Sequence, residues 1–139
     1  MSIQAVLLPL FVLVLLTFVL GFWTAYLRVQ AVRNREVHPR DVALREPNWP
    51  PRVLKVVYAF QNQLELPLLI YVLTILAWIT GQADLLFLVL AWIFVVLRIL
   101  HAAVHVSSNG LAQRAILFIA GAVVLAVMWL IFALRILLS

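Results

Sequence analysis

The chain has 139 residues, of which 67% are hydrophobic and only 11% charged, a proportion that the surface of a soluble domain of this size cannot accommodate. Its formal net charge of +5 sits mainly between two apolar runs rather than along a basic helix, which argues against a nucleic-acid partner. There is no cysteine, so disulfide frameworks, thiolate metal sites and cysteine nucleophiles are excluded.

The first uncharged stretch, Met1 to Leu27, exceeds the roughly 20 residues that a helix needs to cross a bilayer, and no basic segment precedes it. It is expected to be a membrane helix rather than a cleaved signal, extending to about residue 35. From Arg28 to Lys55 the composition changes to seven basic residues, three acids and the helix-stopping group Pro47, Asn48, Trp49, Pro50, Pro51. The one substantial loop is placed at about 36–51.

A second helix is expected over about 52–80, with Pro67 as a kink, and Gly81, Gln82 and Asp84 form the next turn. The third covers about 85–106. Ser107, Ser108, Asn109 and Gly110 suit a tight connection to a fourth over about 111–138. The fold class is therefore an all-α integral membrane protein, a single membrane domain over 1–139 built as a four-transmembrane-helix bundle. The basic first loop faces an acidic second loop across the membrane, so the first loop is assigned to the cytoplasm and both termini to the outside.

Ionisable residues inside such helices cost several kcal/mol unless paired or hydrated, which makes each a candidate for function. Tyr58, Asn62 and Glu65 fall on one helical face, and Arg98, His101 and His105 on another. Both sets are placed at similar depth near the cytoplasmic end, and a Glu65–Arg98 ion pair is the expected satisfaction of both charges. Such a pair serves equally to lock two helices together. His101, His105 and Glu65 form a sparse set for a metal, and none is assigned. Arg114 opens the fourth helix. It is either an interfacial anchor or part of a cationic cleft with Arg33, Asn62, Arg98, His101 and His105, suited to an anionic small molecule. Trp23, Tyr26, Trp49, Trp78 and Trp129 read as interfacial or lipid-facing aromatics.

The segment Ala59 to Pro67, with its Asn62-x-x-Glu65 spacing, resembles the second-helix signature of the MAPEG superfamily, membrane-associated proteins in eicosanoid and glutathione metabolism. Arg98, His101, His105 and Arg114 are similar to that superfamily's second cluster, as are Arg33 and Arg35 to a basic pair after the first helix. The resemblance implies a homotrimer with glutathione at the subunit interfaces and a hydrophobic substrate arriving through the bilayer. It also implies a bacterial-type member of the inner membrane, with transferase, peroxidase or isomerase chemistry. By the same resemblance Arg114 steadies the thiolate as the catalytic residue, while Arg33, Asn62, Glu65, Arg98, His101 and His105 bind glutathione. Tyr58, His105 and Phe118 depart from the family pattern, where arginine, tyrosine and tyrosine are expected. A non-catalytic scaffold or accessory subunit that keeps the fold is the alternative reading.

Overall fold

A computed structural model describes residues 1–139. Five α-helices form four membrane-length columns: α1 (Ile3–Arg33), α2 (Pro51–Asn62) continued by α3 (Leu66–Ile79), α4 (Leu85–Val106) and α5 (Leu111–Leu137). All four columns are long and apolar enough to cross a bilayer. At 1.5 Å per residue, α1 is about 46 Å long and must project beyond a hydrocarbon core of about 30 Å. The caps are local and legible. Ser2 Oγ accepts the Ala5 amide at 3.2 Å to start α1, and Asp84 Oδ1 accepts the Phe87 amide at 2.9 Å to start α4.

The column from Pro51 to Ile79 is not the single kinked helix expected over 52–80. It breaks at Gln63–Glu65, just before Pro67 resumes regular structure as an early member of α3. Proline cannot donate an amide to the carbonyl four residues earlier, and its ring crowds that carbonyl, so the preceding turn opens. Glu65 takes φ −102° and ψ −99°, outside the helical region. The break lies at the level where the polar residues gather.

The main core joins α1, α3, α4 and α5 through residues such as Leu13, Leu73, Phe94 and Leu125. A smaller cluster of Leu20, Val56, Ala59 and Ala102 binds α1, α2 and α4. Gly21 lets α1 and α2 meet closely, since a Cβ there would stand 3.0 Å from Phe60 Cε1. At the turn after α3, Gly81 adopts φ +72° and the Gln82 amide reaches back to the Ala77 carbonyl at 2.8 Å, which closes the helix end. Asp84 then pairs with Arg135 at 2.8 Å and ties the start of α4 to the end of α5.

The long loop is held to the bundle. Glu36 and Arg52 form a two-pronged ion pair at 2.5 and 2.6 Å, and Val37 packs with Ala31, Val53 and Val57. This guanidinium, by hydrogen bonding first, holds the Glu36 carboxyl below its ordinary value. Lys55 Nζ donates to the Ser107 carbonyl at 3.2 Å, so the first loop and the α4–α5 turn share one end of the bundle. Trp49 and Trp129 are not simply lipid-facing. Trp49 lies under the Arg28 guanidinium at 5.4 Å, and Trp129 meets Phe132 edge-on at 6.2 Å.

Candidate functional site

Arg98 is fully buried on α4, in the middle of an apolar helix that its neighbours Phe94 and Val95 anchor to the core. Its Nη2 donates to the backbone carbonyl of Asn62 at 2.8 Å. That carbonyl belongs to the last turn of α2, where the break leaves acceptors without a regular helical partner. The expected Glu65–Arg98 ion pair does not form. Glu65, at the unwound turn, is exposed, and no salt bridge reaches it. Asn62 therefore serves Arg98 through its main chain. The expected common face of Tyr58, Asn62 and Glu65 is likewise divided, with Tyr58 turned to a separate outer cleft.

His101 and His105 follow Arg98 along α4, each only 3% exposed, with ring centroids 5.7 Å apart in an edge-to-face arrangement. Arg114, half-buried in the first turns of α5, approaches His105 Nε2 with Nη1 at 3.1 Å. Because a guanidinium can only donate, Nε2 must be the bare nitrogen and the imidazole proton must sit on Nδ1. Phe118, one turn further along α5, lies 6.0 Å from the His101 ring. Arg98, His101, His105 and Arg114 thus form one cationic cluster between α4 and α5. Arg33 does not join them: it is exposed at the end of α1, in a shallow groove with Tyr26, Val29, Gln30 and Asn34. The structure brings no group of three or more metal-ligating side chains together.

Several buried polar atoms of this cluster lack any protein partner: Nε and Nη1 of Arg98, Nδ1 of His101 and of His105, and Nε of Arg114. Each such atom costs about 1–3 kcal/mol when desolvated and unpaired, which makes this set of atoms a candidate site. Other buried polar atoms are also unpartnered, and two of the residues that carry them, Gln63 and Thr24, do not stand out in the sequence. Gln63, 1% exposed at the helix break, has both amide atoms unpartnered. Thr24 is buried on α1 with a free hydroxyl, whereas Thr17, Thr74 and Thr80 all bond the carbonyl four residues back. An uncharged amide inside the Asn62–Glu65 motif was the available signal for Gln63. For Thr24 the sequence carries none.

Four apolar columns enclosing a buried guanidinium and two imidazoles at one end define an integral membrane protein with an intramembrane polar site, the kind of residue set that function rather than packing maintains. The sequence model of the MAPEG family matches residues 6–134, nearly the whole chain, and the protein belongs to that family. Comparison with curated proteins and with solved structures gives no significant match.

Proposed function

We propose that this protein binds glutathione, or a closely similar anionic thiol, at the Arg98–His101–His105–Arg114 cluster and delivers it to a hydrophobic substrate from the bilayer. The observation that carries this reading is the fully buried Arg98, whose one protein partner is a main-chain carbonyl and whose other donors, like a ring nitrogen of each histidine one and two turns along α4, have no partner. A tripeptide-like ligand with two carboxylates supplies the acceptors that these donors lack. Family membership supports the same choice of ligand.

Each residue has a part. Arg98, held in register by the Asn62 carbonyl, and His101 receive a carboxylate or peptide carbonyl. Arg114 stands at the wetter edge, where a guanidinium beside a thiol favours the thiolate. His105 orients that guanidinium through Nε2. When bound, glutathione supplies the nucleophilic sulfur for conjugation, isomerisation or peroxide reduction. Arg33 and Glu65 are exposed and unpaired within one chain, so a homotrimer in which they reach a neighbour's ligand completes the set. A bacterial inner membrane, with the basic loop in the cytoplasm and both termini outside, suits the charge distribution.

Calorimetric titration of glutathione into the detergent-solubilised protein tests this. Saturable binding that Arg98→Met abolishes is the expected result, and no heat of binding in the unaltered protein refutes it. The second reading, a scaffold that retains the fold without the ligand, is favoured by the exposure of Tyr58 away from the cluster and by the Arg114–His105 contact, which occupies part of the cationic edge. On that reading Arg98→Leu lowers oligomer stability while no thiol shifts the melting temperature.

A further inference from the structure

A cleft of about 470 Å³ opens between α1, the long loop and α2. Arg28, Arg45, Glu46, Trp49, Tyr58 and Gln61 supply its polar wall. None of Asn62, Arg98, His101, His105 or Arg114 lines it. Phe60 and Leu64 carry the cleft into a second, almost wholly apolar groove along α1, walled by Phe18, Gly21, Phe22 and Ala25. A polar chamber therefore continues into an open apolar groove on the outer surface of the single chain.

The charges in the chamber are specific. The Arg28 guanidinium is fixed over the Trp49 ring, 5.4 Å from its centroid, yet its Nε is buried without a partner. Oε2 of Glu46 is also buried without a partner, and the two do not pair with each other. Arg45 beside them holds a left-handed backbone, φ +67°, a conformation that a non-glycine residue adopts only where its surroundings impose it. A simple anion would be repelled by Glu46, and a simple cation by Arg28 and Arg45. A zwitterion with phosphate toward the arginines and a hydrogen-bond-donating ammonium toward Glu46 satisfies both. A quaternary ammonium has no proton to give.

We propose that this cleft is a binding site for an ethanolamine phospholipid, its headgroup between Arg28, Arg45 and Glu46 and one acyl chain along the Phe60–Gly21 groove. Arg28, near the end of the first span, and the loop residue Trp49 stacked against it are of the types favoured at the headgroup layer. The lipid bridges α1, α2 and the loop.

Native mass spectrometry of the full protein in non-ionic detergent tests the assignment, with ethanolamine and glycerol phospholipids added at equal mole fraction. The ethanolamine lipid is expected to be retained roughly tenfold better, the consequence of one charge-assisted hydrogen bond. Glu46→Gln, a change in the loop that leaves the helices untouched, should erase that preference, and Arg28→Gln should weaken both lipids. Equal retention of the two lipids, with Glu46→Gln without effect, overturns the proposal. So does equal competition by oleate, which would make the cleft a site for carboxylate amphiphiles. Binding of soluble glycerophosphoethanolamine as tight as that of the whole lipid would leave the groove without a role and also count against it.

Discussion

Arg98 and Asn62 are joined through a side chain and a carbonyl, 2.8 Å apart, rather than through two side chains. The buried cation is thereby tied to the broken end of α2, and any shift of that break moves the guanidinium. A charge-for-charge pairing with Glu65 would have fixed Arg98 to a side chain with its own freedom. The main-chain acceptor fixes it to the fold itself.

The absence of that ion pair has a measurable consequence. In a double-mutant cycle of Glu65→Gln and Arg98→Met, read by thermal unfolding in detergent, the coupling energy is expected to stay within about 0.5 kcal/mol, as for residues without direct contact. A coupling of about 2 kcal/mol or more would show that the two charges meet after all.

Gly21 is expected to tolerate a β-branched side chain poorly. A Cβ would sit 3.0 Å from the Phe60 ring, and Gly21→Val adds two further carbons at the α1–α2 contact. Overpacking of this kind costs about 1–3 kcal/mol, visible as a lowered unfolding temperature. Gly21→Ala in a Phe60→Leu background should recover most of the loss.

At the far end of the bundle, Asp84 caps α4 and pairs with Arg135. The Phe87 amide first, and Arg135 after it, hold its carboxyl below the ordinary value of 3.8. Because the folded value is depressed, the stabilisation is full above about pH 4 and is lost as the pH falls through the lower folded value. Asp84→Ala should cost about 1 kcal/mol at pH 7, a typical cap loss. The difference between the two proteins should shrink in unfolding curves recorded below pH 4.

The Glu36–Arg52 clasp follows the same sign. With Glu36 held below its ordinary 4.5, the clasp persists above that pH and releases as the carboxyl protonates beneath it. Trypsin cleavage after Arg40 and Arg45 at neutral pH should be faster in Arg52→Gln than in the unaltered chain. Equal rates would show that the loop is held by Val37 and its neighbours alone.

The membrane columns were legible from the sequence because lipid imposes an apolar length that little else produces, and the caps at Ser2 and Asp84 are local signals. The break at Gln63–Glu65 was not. A proline in an apolar run reads as a bend, and whether the preceding turn survives depends on what lies opposite, here a guanidinium that takes up a freed carbonyl. Helical periodicity carried across that break predicts a Glu65–Arg98 ion pair that the unwound turn does not form. His105 and Arg114 are nine positions apart on different helices, so their contact is visible only once the α4–α5 turn is formed. Gln63 had only its amide within the Asn62–Glu65 motif to mark it, and the burial of the Thr24 hydroxyl has no signature in a single sequence.

Arg114 acts in the proposed chemistry only if it faces a thiol that it ionises, and the ultraviolet absorbance of the thiolate reads this directly in the glutathione-bound protein across pH. The bound thiol is expected to titrate well below the usual cysteine value of about 8.5, and to return toward it in Arg114→Ala while binding through Arg98 persists. A bound thiol that titrates at its solution value in both proteins would contradict the role given to Arg114 and leave the cluster as a binding site without the chemistry.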